Sequence, residues 1–304
     1  MPEPEAATAT EEDLEAIARR GRLLVLESVA NAGAGHIGGP LSAMDVLVAL
    51  FFRVLRIRPT EPDWPDRDRF ILSKGHSAIG LYAVMAMRGY FPVDELATFD
   101  HADSRLQGHP DMTCLPGLEG STGSLGQGLA IGAGIALGCR MRGLRGHTFV
   151  MLGDGEMQEG MVWESVAVAA RYRLGNLTVI VDRNRLQQYG WPQVGGADAA
   201  DRQDPLATVR LDAALEAFGW RVVTIDGHDI EAVVAACAAV RDGPPDGAPT
   251  AILAETVKGH GVSFTEGRFD WHARVATADD VAAARRELDP EDAGGATAAN
   301  GRTP

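Results

Sequence analysis

The chain has 304 residues, of which 45% are hydrophobic and 23% are charged, a composition typical of a folded globular protein. Its formal net charge of -14 argues against a nucleic-acid partner, because phosphate backbones are held by clustered lysine and arginine. No apolar run approaches the ~18 residues of a membrane span, and residues 1–10 lack the basic and apolar regions of a secretory signal. We therefore expect a cytoplasmic protein with no membrane partner.

The predicted organisation is one α/β domain over residues 11–288 with a disordered tail at each end. The tails, residues 1–10 and 289–304, are rich in Ala, Gly, Pro, Thr and acidic residues, which bury too little apolar area to offset the entropy of ordering. Helical apolar spacing predicts helices at 14–29, 42–55, 77–88, 125–141, 160–172, 211–218 and 230–240. Short apolar runs predict strands at 69–72, 148–152, 177–181, 221–225 and 250–254.

Strands and helices alternate along the chain, and the strands are continuous apolar runs, which indicates burial on both faces. This pattern predicts a doubly wound, largely parallel sheet with helices on both faces. The three cysteines have neither disulfide nor metal-ligand spacing, and we expect them to be small apolar filler in a reducing compartment.

Ligands of such sheets bind beyond the carboxyl ends of the strands. Asp154 follows one predicted strand and Asn184 follows the next, at about the spacing of one strand-helix-strand unit. Mg²⁺ prefers oxygen ligands, and a carboxylate, an amide oxygen and a backbone carbonyl two residues after Asn184 meet that requirement. A lone Gly-Asp-Gly is more often a surface turn, but its position after a buried strand, with Asn184 at this offset, favours a metal site.

The glycine-rich segment 123–128 is open to two interpretations. It could be a tight turn into a helix, and it lacks the spacing of a dinucleotide-binding fingerprint. The alternative is a close approach of the backbone to a cofactor.

Six short motifs follow one another along the chain. They are AGHIGG at 34–39, LSKGH at 72–76, QGHP at 107–110, TGSLGQG at 122–128, GDG at 153–155 with QEG at 158–160, and TVKG at 256–259. Their order and spacing match the N-terminal half of transketolases, and the chain resembles that half from Arg20 to His272. The form of the first motif resembles the smaller subunit of transketolases encoded as two polypeptides. The resemblance implies the thiamine-diphosphate-binding fold, in its diphosphate-type module, with thiamine diphosphate and Mg²⁺ as cofactors.

The resemblance also implies a set of binding residues. The implied metal ligands are Asp154, Asn184 and the carbonyl oxygen of Leu186. The residues implied to contact the cofactor are His76, His109, Gly123, Ser124, Leu125, Gly153, Asp154, Gly155, Glu156, Asn184 and Leu186.

Histidines are the main candidates for catalysis. A single histidine near glycines is usually structural, but His36, His76 and His109 each lie in a motif of the family, and we assign them to substrate binding and proton transfer. The family has a further histidine near the end of the domain. We assign it to His272, although Ala273 follows where the family has glycine, and keep His260 as the alternative.

Two acidic residues, Glu159 and Glu164, begin the helix after the metal loop. They could simply place favourable charge at a helix N-terminus. The resemblance instead implies an acidic catalytic network across a subunit interface.

The chain departs from the family's sequence at two places near the metal site. Where the family has Asp-Asn-Asn, this chain has Asp182-Arg183-Asn184, and where the family later has Asp-Gly, this chain has Tyr189-Gly190. Arg183, Tyr189 and Trp191 either reshape the pocket or are surface replacements.

The implied reaction is transfer of a two-carbon ketol unit from a ketose to an aldehyde. In the family a second module supplies the glutamate that activates the cofactor and most residues that bind a sugar phosphate, and we expect a separate C-terminal transketolase subunit to provide it. Two alternatives remain open. One is another thiamine-diphosphate enzyme, related to deoxyxylulose-phosphate synthase or to a 2-oxo-acid dehydrogenase, and the other is a non-catalytic cofactor-binding subunit.

Overall fold

The computed structural model describes residues 9–188 and 210–289. The helices are α1 Glu11–Ala32, α2 Gly38–Ala49, α3 Ala78–Arg88, α4 Gln127–Met141, α5 Gly160–Arg171, α6 Leu211–Ala217, α7 Ile230–Arg241 and α8 Ala278–Leu288. The strands are β1 Arg69–Leu72, β2 Thr148–Gly153, β3 Leu177–Arg183, β4 Arg221–Asp226 and β5 Thr250–Glu255. Within these described ranges, no helix is both long and apolar enough to cross a lipid bilayer.

The five strands form one sheet in the order β1-β2-β3-β5-β4, and every neighbouring pair is parallel. Gly153 at the end of β2 is in register with Asp182 in β3, and Asp182 is in register with Ala254 in β5. The carboxyl ends of the central strands therefore meet at one edge. This confirms the predicted parallel α/β sheet.

Alternation along the strands sorts side chains into two helical layers. Phe149 and Met151 of β2 pack in a core with α1, α2, α3, α7 and α8. Val150 and Leu152 of the same strand pack in a second core with α4, α5 and α6. Because both faces are covered, the central strands are buried over all but their last residue, and the prediction of helices on both faces is confirmed.

The prediction of burial on both faces is wrong for 221–225. β4 is one of the two edge strands of the sheet and, among the described strands, pairs only with β5. Its residues are exposed or partly exposed, with Val223 39% exposed. Its apolar composition came from β-branched residues, which suit a strand whether or not it is covered.

Helix boundaries follow capping residues that the apolar spacing does not reveal. Thr10 and Asp13 form a capping box at the start of α1, and Gly33 ends it with φ of +66°. α2 begins at Gly38, earlier than predicted, and continues as a π-helical turn over Leu50–Val54. α8 was not predicted, although Thr277 and Asp280 form a second capping box before it.

Some predicted features lie outside the residues that the structure describes, and one prediction about the cysteines is wrong. Most of both predicted tails, residues 1–8 and 290–304, and the positions of Tyr189 and Trp191 lie outside the described residues. Of the cysteines, Cys139 and Cys237 are buried as expected, whereas Cys114 is exposed, so its interpretation as core filler is wrong.

Candidate functional site

The carboxyl edge of β2 and β3 brings Asp154 and Asn184 together. Asp154 is 4% exposed, and its carboxylate accepts hydrogen bonds from the backbone N–H of Gly155 at 2.7 Å and of Arg185 at 2.5 Å. Burial and the neighbouring carboxylate of Asp182 raise the pKa of Asp154 to about 7. A carboxylate held in this environment is stabilised by a bound cation.

The amide of Asn184 and the carbonyl of Leu186 lie in the same turn. The side-chain oxygen of Asn184 accepts from the backbone N–H of Leu186 at 3.1 Å, and its Nδ2 donates to Asp182 Oδ2 at 3.2 Å. The Leu186 carbonyl accepts from Lys258 Nζ at 3.1 Å. A carboxylate, an amide oxygen and a carbonyl oxygen thus lie in two adjoining loops at this edge, and donors of these types fit Mg²⁺.

Two buried lysines, which the sequence interpretation missed, supply positive charge beside these oxygens. Lys74 is 1% exposed, and its Nζ donates to Asp182 and to the carbonyl oxygen of Gly39. Burial and the charge of Lys74 lower the pKa of Lys258 to about 8. Both lysines lie in the family motifs, at 72–76 and 256–259, and this placement was the available signal. They give an acidic protein a local cationic wall that suits an anionic ligand.

Three histidine rings cluster at the same edge. The ring centroid of His36 lies 5.2 Å from that of His76 and 5.1 Å from that of His272, and the rings of His76 and His272 are 5.1 Å apart. His109 lies 6.3 Å from His36. His260 is not in this cluster. It stacks on His228, with 3.6 Å between ring centroids.

The clustered imidazoles are held neutral. Burial, with the charges of His109 and Lys258, lowers the pKa of His36 to about 4, and burial with Lys258 lowers that of His272 to about 3. Burial and Lys74 also hold the pKa of His76 well below its usual range. Lys258 Nζ lies 2.9 Å from His272 Nδ1. When Lys258 donates this bond, the proton of His272 is on Nε2.

Glycines allow the backbone to form the wall opposite the metal loop. Gly123 and Gly126 have φ of +152° and +83°, which side chains rarely tolerate. A Cβ on Gly123 would lie 3.0 Å from His109 Cδ2, and a Cβ on Gly75 would lie 2.7 Å from the Gly123 nitrogen. The chain therefore passes close to the histidines only because side chains are absent.

Glu156 connects the glycine-rich backbone at 123–126 to the loop at 153–155, which carries Asp154. Its carboxylate accepts from Ser73 Oγ at 2.5 Å, from the backbone N–H of Gly126 at 2.8 Å and from that of Gly153 at 3.2 Å. These donors compensate a carboxylate that is 3% exposed. Its location favours a role in shaping the wall over direct contact with an anionic ligand.

A cavity of about 410 Å³ opens among these groups. The predicted site residues that line it are His36, His76, Gly123, Leu125, Gly153, Gly155, Glu156, Glu159, Asn184, Leu186 and His272. Lys74 and Lys258 line it as well. His109 lines a shallower neighbouring cavity of about 420 Å³ with Asp100 and Asp111.

Three predicted residues lie outside the lining of both cavities. Asp154 is buried, whereas Ser124 and Glu164 are exposed. Glu159 and Glu164 are both exposed at the start of α5. Their carboxylates are therefore available to a partner, which an interface network requires.

Comparison with known proteins gives the same family throughout. The family model described as the thiamine diphosphate-binding domain of transketolase matches residues 14–294. One subunit of the apulose-4-phosphate transketolase from Actinobacillus succinogenes is 41% identical over 277 residues, covering 91% of this chain and 95% of that protein. The 6-deoxy-6-sulfo-D-fructose transketolase subunit SqwG from Clostridium sp. (strain MSTE9) is 40% identical, covering 92% of this chain and 98% of that protein.

The chain is similar to part of the length of transketolases whose structures have been solved. A transketolase from Pichia stipitis in complex with sedoheptulose-7-phosphate has a TM-score of 0.80 and 30% identity, covering 92% of this chain and 41% of that one. The chain thus spans about two fifths of that transketolase chain, whereas it spans nearly all of the two relatives named as subunits.

Proposed function

The chain belongs to the transketolase family, and from that premise we propose that it is the diphosphate-binding, N-terminal subunit of a two-polypeptide transketolase that requires thiamine diphosphate and Mg²⁺. The reaction is transfer of a two-carbon ketol unit from a ketose to an aldehyde. The single observation that carries the proposal is the convergence of a buried metal-type donor set, two buried lysines and a neutral histidine cluster at one sheet edge. Dinucleotide or nucleic-acid binding would require none of this arrangement.

The residues fit the cofactor in charge and shape. Asp154, the side-chain oxygen of Asn184 and the carbonyl oxygen of Leu186 would hold Mg²⁺. Lys74 and Lys258 line the cavity and would balance the negative charge of a diphosphate. Backbone segments free of side chains would approach the cofactor closely at 123–126.

The histidines supply what the reacting sugar needs. When bound, thiamine diphosphate supplies the chemistry that breaks and forms the carbon–carbon bond. Because His36, His76 and His272 are neutral at physiological pH, each has one ring N–H and one lone pair for hydroxyl and carbonyl oxygens of a ketose. His272 would present Nε2–H, because Nδ1 faces Lys258. These groups can orient the sugar, stabilise a developing oxyanion and move protons.

The partner is proposed to be a C-terminal transketolase subunit. Relatives of nearly the same length are named as transketolase subunits, which supports a separate second chain. The partner would bring the carboxylate that activates the cofactor, together with residues that bind the far end of the ketose. Glu159 and Glu164 would join the interface between active sites.

The test is reconstitution from purified subunits. The chain alone, with thiamine diphosphate and Mg²⁺, should show no ketol transfer. Adding a C-terminal transketolase subunit should produce transfer that saturates near equal stoichiometry, without release of CO₂, and light scattering should show a symmetric pair of heterodimers. Ketol transfer by the rigorously purified single chain would contradict the requirement for a partner, and release of CO₂ would favour a decarboxylating relative.

A further inference from the structure

A second group of titratable side chains lies behind the histidine cluster and is used by none of the steps above. Asp45 of α2, His228 after β4 and His260 after β5 have ligand atoms within 4.8 Å of one another. A metal ion is disfavoured there, because the guanidinium of Arg22 already lies 2.5 Å from Asp45 Oδ2. Asp45 is therefore neutralised by a fixed cation, and the arrangement calls for another explanation.

The hydrogen bonds of His228 define its tautomer. The backbone N–H of Val257 can only donate, and it donates to His228 Nε2 at 2.8 Å. Nε2 must therefore carry the lone pair, and Nδ1 carries the proton that is donated to Asp45 Oδ2 at 2.7 Å. Both ring nitrogens are in use, which also leaves no nitrogen for a metal.

The bond to Val257 fixes the backbone from which Lys258 enters the site. Lys258 extends from the next residue to the carbonyl of Leu186 at 3.1 Å and to His272 Nδ1 at 2.9 Å. Its stem packs tightly on α2, since a Cβ on Gly38 would lie 3.0 Å from Lys258 Cε. A small displacement of Val257 would therefore move the ammonium group away from both acceptors.

The same loop is held again a few residues later. His260 stacks on His228 with an interplanar angle of 26°, and its Nδ1 lies 3.0 Å from Glu266 Oε1. Gly261, with φ of +87°, lies against Arg22, whose Cδ would be 2.7 Å from a Cβ at that position. The support is thus continuous from Arg22 through Asp45 and His228 to the loop that carries Lys258.

We propose that His228 is a positioning residue, which holds the Lys258 loop in the cofactor site through the lone pair on its Nε2. Without an acceptor at this position, the N–H of Val257 would lose this hydrogen bond and the loop would lose its anchor. The charged groups that face His228 are Arg22 and Asp45 from α1 and α2, and His260 and Glu266 from the loop after β5. On its own loop, Asp226 Oδ1 accepts from the His228 backbone N–H at 2.9 Å.

This proposal rests on the proposed function, because Lys258 is taken as a cofactor-site group. A side chain at position 228 that can accept the Val257 N–H should therefore keep the loop in place, and one that cannot accept it should not.

Two variants separate the roles of the ring. His228→Gln keeps an acceptor for the Val257 N–H, whereas His228→Phe keeps a ring for stacking but has no acceptor. His101→Gln is the matched control, because His101 is an exposed histidine. Thiamine diphosphate affinity of the reconstituted assembly would be measured by calorimetry at fixed Mg²⁺ and fixed pH.

His228→Phe should bind the cofactor roughly tenfold more weakly than the wild type, equivalent to about 1.4 kcal/mol. His228→Gln and His101→Gln should bind with close to wild-type affinity. Wild-type affinity in His228→Phe, or equal losses in His228→Phe and His228→Gln, would overturn the proposal.

Amide hydrogen exchange over residues 256–266 keeps this test independent of the proposed function. In the chain without cofactor, His228→Phe should exchange faster than the wild type, and His228→Gln should be protected about as well as the wild type. Equal protection in wild type and His228→Phe would overturn the positioning role even if the assembly binds no thiamine diphosphate. Failure of cofactor binding with the expected exchange pattern would count against the proposed function alone.

Discussion

Asp154 is the one charged residue among the proposed metal ligands, and its replacement is the most direct test of the site. Asp154→Ala should weaken thiamine diphosphate binding by at least about tenfold, which corresponds to 1.4 kcal/mol. The cause is loss of the carboxylate that attracts Mg²⁺ to a buried position. Calorimetry at fixed Mg²⁺ measures the change.

Asp154→Asn separates charge from hydrogen bonding, because an amide keeps an oxygen that can accept from the backbone N–H groups of Gly155 or Arg185. We expect this variant to bind the cofactor weakly as well. Normal affinity in Asp154→Asn would mean that the side chain acts as a turn-forming acceptor and not as a metal ligand.

His76 and His109 are expected to act on the sugar more than on the cofactor. Replacing either with alanine should lower turnover by roughly 10²–10⁴-fold while cofactor affinity stays within a few fold, because positioned acid–base groups contribute on that scale. Steady-state kinetics of the reconstituted assembly would be compared with calorimetry, and His101→Ala is the control. Normal turnover in either variant would show that histidine to be structural.

Residue by residue, sequence reasoning succeeded where a strand end fixes position. Asp154 and Asn184 could be brought together because each follows a buried parallel strand, and the structure places them at adjacent strand ends. Lys74 and Lys258 were missed because a lysine is normally exposed, and only tertiary packing shows that these two are buried. The choice between His260 and His272 also required the loop geometry.

At the scale of elements, the packing of α4 on β2 depends on one glycine. A Cβ on Gly132 would lie 2.4 Å from Val150 Cγ2, so Gly132→Ala should destabilise the chain by roughly 1–3 kcal/mol through overpacking. Gly134 on the same helix has no atom within 4 Å of its hypothetical Cβ. Gly134→Ala should therefore stabilise the chain by up to about 1 kcal/mol, the usual helix preference for alanine.

Denaturant unfolding of the two variants gives both values. Adding Val150→Ala to Gly132→Ala should recover part of the loss, because it removes the methyl group that the new Cβ would meet. Stabilisation of the same size by both glycine replacements would show that α4 does not pack on β2 as closely as described.

Elements with strong apolar periodicity were predicted, and those determined by context were not. α4 and α5 were found because each has an apolar face of several turns. β4 was assigned to the interior because its composition resembles that of a buried strand, whereas its place at the sheet edge depends on β5, which follows it in the chain. α8 has only two large apolar residues, Val281 and Leu288, and its capping box carried the only clear signal.

For the whole molecule, the buried His147 predicts sensitivity to acid. Its ring lies at the amino end of β2, 2.9 Å from Thr178 Oγ1, and burial lowers its pKa from 6.5 to about 4. Between pH 6.5 and about pH 4, the unfolded chain therefore binds a proton at His147 that the folded chain does not bind. Stability should be fully present above about pH 6.5 and should fall as the pH decreases toward 4, by about 2 kcal/mol between pH 7 and pH 5.

His147→Gln keeps a polar group near Thr178 but does not titrate. Its free energy of unfolding in urea should therefore fall less than that of the wild type over this pH range, by about 2 kcal/mol. The other buried histidines still contribute in both proteins, so the comparison isolates His147. Parallel pH profiles for the two proteins would contradict its neutral state in the fold.

The strand order also governs how the molecule can assemble during synthesis. β1, β2 and β3 lie side by side in the sheet in the same order in which they are synthesised. Arg69 of β1 can pair only after Thr148 of β2 has been synthesised. β4 is synthesised before β5 yet joins the sheet only through β5. A nascent chain that stops before residue 250 therefore leaves β4 without its neighbour, and these sequence-distant pairings predict a slow final step in folding that leaves an apolar strand exposed to aggregation.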